Sequence, residues 1–329
     1  MPIRSAESRV FNLSFGGVLQ KPITFSWRSE YLSQQYGRNI NFNGELFNSL
    51  PYYDAEKQLA DFHSFSNKQN LGHNYRAPAQ TGVLRISYDD FAPTETYAHT
   101  EDVNFFLNDY VAPIFSFFQR RRILFGTVRL TSSQQLIIAM PTLAAGEWID
   151  SIAFGPATID YSDLQTGVSL SIAKLQQVTA EQKSRIRMLL KRYNEVLNLP
   201  YIHERVEGLW RIVEALGGVH TATQLAQNEY ARFKQLLNIR NQAPNLEALL
   251  IALHHYKIPY SDDEVVESRK FRNHSTHQYL DHALTTWPNI SMIFQFLGKC
   301  VDNAIASELG LLNIRLLPHT FSIIENRVL

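Results

Sequence analysis

At 329 residues, with 45% hydrophobic and 12% aromatic content, the chain is long enough for two domains with buried cores, and disorder is excluded as the default. Lys+Arg and Asp+Glu balance at 31 each, so no overall charge draws in a polyanion and any RNA contact has to come from a local basic patch. The one cysteine, Cys300, excludes an internal disulfide framework.

From the N-terminus, short β-rich runs alternate with turn residues, and 10–18, 38–46, 83–88, 123–130, 135–140 and 168–172 read as strands. Residues 67–80, with Gly72, Pro78 and several Asn, read as loop. One helix interrupts the strands at 102–119, where Phe105, Phe106, Tyr110, Ile114, Phe117 and Phe118 recur at helical spacing. It ends in Arg120-Arg121-Arg122, either a phosphate-binding patch or a solvated helix terminus complementing the dipole. The composition changes character near residue 178. Residues 1–178 therefore read as an α+β domain with mostly antiparallel strands.

Residues 179–329 read as an all-α helical bundle. Helices are expected at 180–197, 201–216, 221–240 and 245–256, with stops at Pro200, Gly217-Gly218 and Pro259. Ser261 to Glu264 is a capping box opening a fifth helix, and 291–309 makes a long last one. Trp210 belongs to the core, and the apolar tail 311–329 is expected to dock on its own protein or on a partner. No apolar run reaches the ~20 residues that span a bilayer, and the N-terminus lacks the charged-then-apolar run of a signal peptide. A cytoplasmic location without membrane contact is expected.

The stretch with the most chemical content is Arg272-Asn273-His274-Ser275-Thr276-His277-Gln278-Tyr279, an Arg-x4-His with Asn after the Arg and Tyr two beyond the His. Arg269 and His274 repeat the same spacing. The motif resembles the signature of HEPN-domain ribonucleases and, in its extended Arg-x4-His-x-Tyr form, that of HEPN/MNT toxins. Glu204 to Leu216, with Arg205, Leu209-Trp210 and Val213-Glu214-Ala215-Leu216, looks like the early helix of Apea-like HEPN domains. Together these resemblances cover residues 180–310. They imply a HEPN-like bundle, a homodimer whose motifs share one composite cleft, and a role in prokaryotic anti-phage defence, CRISPR-linked or toxin–antitoxin systems. In such proteins an N-terminal domain recognises a trigger or protein partner, or holds the nuclease in check.

The residue chemistry fits RNA cleavage. RNA carries its own nucleophile in the 2′-hydroxyl, so a metal-free site needs one group to move a proton and one cation to hold charge developing on the phosphate. His277 suits the first task, with an ordinary imidazole pKa of about 6.5, and Arg272 the second, since a guanidinium stays charged and grips two oxygens. The products would be a 2′,3′-cyclic phosphate and a 5′-hydroxyl. Within a continuous helix the two residues would stand about 140° apart. A break or helix start near 273–275, with Ser275 and Gln278 as a second capping box, is therefore expected, or else a pair acting across a two-fold axis.

Supporting roles remain open between function and packing. Asn273 either orients Arg272 or sits at a turn, and Tyr279 either lines the cleft, accepts a nucleotidyl group or is a half-buried helix tyrosine. Glu214 either pairs with Arg272 in the bundle or is an exposed carboxylate. His274 and His277, with Asp281, invite a metal, but four ligands at metal spacing are missing and no metal or cofactor is expected. The competing reading is a non-catalytic HEPN-like dimerisation or docking subunit of a larger nucleoprotein assembly.

Overall fold

A computed structural model of the chain describes residues 5–11, 21–47, 80–88, 105–120, 123–130, 160–197, 199, 202–277 and 287–311. The chain forms two compact units, Met1–Asn194 with Leu309–Leu317 and Glu195–Glu308 with Pro318–Leu329. An antiparallel sheet lies toward the N-terminus and helices make up most of the other described residues, an α+β arrangement followed by a helical one.

In the first unit the strands are β1, Ser5–Phe11, β2, Ile23–Arg28, β3, Asn41–Phe47, β4, Gln80–Tyr88, and β5, Leu124–Leu130. They form one sheet in the order β2-β3-β4-β1-β5, with every neighbour antiparallel. Alternation sets the register: Ile23, Phe25 and Trp27 of β2 face inward, as do Phe42, Gly44 and Leu46 of β3. Phe25 pairs with Gly44, whose missing side chain makes room for the ring, since a Cβ there would fall 2.2 Å from it.

Helix α1, Glu30–Tyr36, joins β2 to β3. Ser29 caps it by accepting from the Leu32 amide, and Gly37 ends it in the left-handed conformation at φ 65°. A π-helical turn, Leu107–Val111, then runs into α2, Ala112–Gln119. The amide of Ala112 reaches back five residues to the Leu107 carbonyl just before Pro113, which has no N–H of its own. This segment covers the sheet: the Phe106 ring lies 4.9 Å from Trp27 and 5.7 Å from Phe42.

Helix α3, Tyr161–Gln177, packs beside β2 and α2, with Gly167 under the ring of Phe118. Its Gln165 side chain accepts from the Thr24 amide and donates to the Thr24 carbonyl, both at 2.8 Å, while Gln176 donates to the Ser26 carbonyl. Arg120, at φ 53°, donates to the Tyr193 hydroxyl at 2.7 Å and lies over Phe117, so it belongs to the packing of this unit. Arg121 and Arg122 lie outside the described residues.

One expectation for this half needs correction. Residues 168–172 are not a strand but the middle of α3, where Leu164, Val168, Ser171, Ile172 and Leu175 are buried at helical spacing while Leu170 is exposed. Of the strand expected at 10–18, residues 10 and 11 lie in β1, which begins at Ser5; 12–18, like 67–79 of the expected loop, the run 135–140 and the tail 312–329, lie outside the described residues. Two elements went unread, β2 and α1.

Helix α4, Ala180–Leu197, has the bounds its spacing predicts, and the division between the units falls within it, whereas the composition changes near residue 178. The second unit contains α5, Ile202–Gly218, α6, Gln224–Leu236, α7, Pro244–His255, α8, Asp262–His277, and α9, Ile290–Leu309. Its core holds Trp210, Phe233, Phe271 and Phe296 with Val206, Leu209 and Val213 of α5, Leu246, Leu249, Leu250 and Leu253 of α7, Val265 of α8 and Leu297 and Val301 of α9. Helices α5 and α7 approach closely at Gly217, where a Cβ would fall 2.0 Å from the Ala248 carbonyl oxygen. No described helix is long and apolar enough to cross a membrane.

Candidate functional site

Helix α8 carries the Arg-x4-His motif, and its start is fixed by the capping box: the Ser261 amide donates to Glu264 Oε2 at 2.7 Å and the Glu264 amide to Ser261 Oγ at 3.3 Å. Asp262, Asp263 and Glu264 place negative charge in the first turn, where the helix dipole favours it. Asp262 also receives two hydrogen bonds from Arg232. Val265, Ser268, Phe271 and Ser275 form the buried stripe that seats α8 in the bundle. The fully buried Trp210 of α5 locks the two helices together, its indole N–H donating to the Ser268 carbonyl at 3.0 Å.

That lock sets the level at which Arg272 meets α5. Its Nε donates to Glu214 Oε1 at 3.0 Å and its Nη2 to Glu214 Oε2 at 3.1 Å, the two-point geometry that matches guanidinium to carboxylate. Nη1 donates to Thr276 Oγ1 at 2.7 Å and lies 3.8 Å from Glu207 Oε1. Only 14% of the Arg272 side chain is exposed, so the guanidinium is fixed in orientation. Glu207, itself buried, also takes a hydrogen bond from Arg211 at 2.7 Å.

The expected break near Asn273 is absent: α8 runs unbroken from Asp262 to His277. Ser275 does not begin a new helix, because its hydroxyl donates back to the Arg272 carbonyl at 3.2 Å, and Thr276 Oγ1 does the same at 2.7 Å. Arg272 and His277 consequently stand about 140° apart around one helix. Asn273 is exposed rather than set at a turn. His274 is half-buried, its ring 4.9 Å from that of Trp287, which also meets Phe271 edge-on. The side chain of His277 and all of Tyr279 and Asp281 lie outside the described residues. Of the six residues singled out from the sequence, the structure brings Arg272 and Glu214 into contact.

Two participants, Glu207 and Thr276, were not picked out, and Arg269 was read only as a repeat of the Arg-x4-His spacing. Glu207 and Thr276 both engage Arg272, at the i,i+7 and i,i+4 spacings that place Glu207 and Glu214 on one face of α5 and Thr276 one turn beyond Arg272. Arg269, one turn before Arg272, has two enclosed nitrogens, Nε and Nη1, with no hydrogen-bond partner. Burial and the neighbouring Arg272 charge hold its pKa below the ordinary arginine value, against the pull of Glu214. At the start of α5, burial lowers the pKa of His203, with Glu204 and Glu207 opposing.

Chemically, the α5–α8 seam brings Glu207 and Glu214 against Arg272, with Arg269 one turn away on α8. Among the described residues, no group of three or more His, Cys, Asp or Glu side chains is arranged to hold a metal ion. No protein-family model, no curated protein and no solved structure matches this chain.

Proposed function

We propose that the protein is a metal-independent endoribonuclease of the HEPN type, cutting RNA through its own 2′-hydroxyl to leave a 2′,3′-cyclic phosphate and a 5′-hydroxyl. The observation that carries the reading is the pose of Arg272: a guanidinium gripped at two points by Glu214 and braced by Thr276 keeps one orientation, which is what stabilising charge on a phosphate in a transition state requires. Because a single unbroken α8 separates Arg272 and His277 by about 140°, the active cleft is composite, with Arg272 of one protomer serving His277 of another in a homodimer through the helical unit. His277 moves the proton, Glu214 and Thr276 position Arg272, and Asn273, His274 and Tyr279 line the cleft. The protein acts in the cytoplasm in prokaryotic defence or as a toxin, and the N-terminal unit recognises a trigger or a protein partner.

The test is cleavage of labelled single-stranded RNA in EDTA by the purified protein. Wild type cuts and leaves cyclic phosphate ends, and Arg272→Ala and His277→Ala each abolish cutting while the circular dichroism spectrum is unchanged. Cutting that persists in both variants, or that needs a divalent ion, overturns the reading.

One observation favours a second reading. Glu214 already matches the charge of Arg272, as in a pair that serves packing alone, and on that basis the bundle is a non-catalytic docking or dimerisation subunit of a larger nucleoprotein assembly.

A further inference from the structure

The turn that follows α5 holds two imidazoles face to face. The ring of His220 lies 3.5 Å from that of His255, in the last turn of α7, with 14° between their planes. His220 is half-buried and fixed in orientation. Tyr256 spends its one hydroxyl proton on Glu308 Oε1 at 3.1 Å, so its oxygen accepts from His220 Nε2 at 2.9 Å, and that nitrogen carries the proton of the neutral ring. His255, the outer ring, is exposed. Tyr256 does not cover its outer face: the tyrosine ring is 4.7 Å from His255 and 5.4 Å from His220, nearly equal, whereas a ring beyond that face would be farther from His220 by most of the 3.5 Å separation. Among the described residues no other ring meets His255.

We infer that the His220–His255 stack is a platform on which a nucleobase of single-stranded RNA lies, against the outer face of His255. Every base has a π face, so a flat, solvent-facing ring takes one whatever the sequence. A ring already held parallel to a fixed neighbour has little side-chain freedom left to lose when the base arrives. The surroundings are polar: exposed Lys257, two residues on, supplies a cation for the backbone phosphate, and the carboxylate of Glu308 is engaged by the Tyr256 hydroxyl. That setting suits a base joined to a phosphate better than the apolar side chain of a protein partner. The platform also stands near Arg272. Glu214, which grips Arg272, is six residues before His220, a length of chain that reaches at most ~22 Å, so a strand of several nucleotides spans both. The inference rests on RNA being what the protein acts on, and adds where one of its bases sits.

The test is fluorescence anisotropy of a labelled single-stranded RNA oligonucleotide with the full-length chain. Its 2′-hydroxyls are methylated, which blocks cutting by their own attack and reads binding apart from cleavage. A matched strand with abasic sites carries the same phosphates without the bases. Wild type binds the base-bearing strand about ten-fold or more tightly than the abasic one. His255→Ala, at an exposed position that the fold does not need, binds both strands alike and weakly. His255→Phe keeps a flat ring and binds the base-bearing strand as wild type does. The inference is overturned if wild type does not distinguish the two strands, if His255→Ala distinguishes them as wild type does, or if His255→Phe is as weak as His255→Ala. It is also overturned if N-acetyltryptophanamide, and not the RNA, binds in a His255-dependent way, since the platform then takes an aromatic side chain of a protein. Base-dependent binding without any cutting of unmodified RNA overturns the nuclease reading alone, and cutting without base-dependent binding overturns this inference alone.

Discussion

Arg272 and Glu214 meet as a two-point ion pair between α5 and α8, with 14% and 23% of their side chains exposed. Removing either leaves the other half-buried without its partner. After allowance for residual solvent, Glu214→Ala is expected to cost about 1–2 kcal/mol, as is Arg272→Ala. In a double-mutant cycle read from urea midpoints, the two losses should fall short of additive by about 1 kcal/mol. Additive losses would mean that the pair contributes nothing to the fold.

Two adjacent glycines at the end of α5 should answer alanine in opposite ways. Gly217→Ala pushes a methyl into the Ala248 backbone, which cannot step aside without moving α7, and is expected to cost about 1–3 kcal/mol. Gly218 has nothing within 4 Å of a built Cβ and no left-handed backbone, so Gly218→Ala should be neutral or stabilising by up to about 1 kcal/mol. Equal melting temperatures for the two variants would contradict the close approach of α5 and α7.

His203 should make the helical unit acid-sensitive. Its folded pKa lies below the unfolded value of 6.5, so the unfolded chain takes up the proton first. The stability it contributes is fully present above pH 6.5 and is lost as pH falls from there through the folded value. His203→Gln should flatten that part of the stability profile in urea titrations at stepped pH. An unchanged slope would place the acid sensitivity elsewhere.

Cys300 lies inside α9 with 1% of its surface exposed, and burial pushes its thiol far above the usual cysteine range. Modification by a thiol reagent in native buffer should therefore track global unfolding and speed up by orders of magnitude in denaturant. Prompt labelling of the native protein would contradict this packing.

Many of the helices were legible because one-sided apolar spacing is unambiguous over four or more turns. Residues 180–197 and the Ser261–Glu264 cap show this directly. Residues 168–172 misled because Val168, Leu170 and Ile172 alternate as a strand does, while the helix actually buries Val168 and Ile172 one turn apart and leaves Leu170 outside. β2 and α1 carried readable signals in Ile23, Phe25 and Trp27 at alternate positions and in the Ser29 and Gly37 caps. At the site, the Arg272–Glu214 contact was among the sequence alternatives. The continuity of α8 was not readable, because a serine hydroxyl that caps a helix start can equally donate to a carbonyl one turn back, and the seat of Ser275 in the bundle decides between them.

The hold of Gln165 and Gln176 on β2 bears on how the protein behaves at high concentration. β2 is the rim of its sheet, and a bare rim is a template on which another chain can lay down a strand. Here a glutamine amide imitates the missing peptide at Thr24, and a second occupies Ser26, so the template is already written over. Replacing Gln165 with alanine would uncover it, and self-association through β2 would appear as light scattering before any loss of helix.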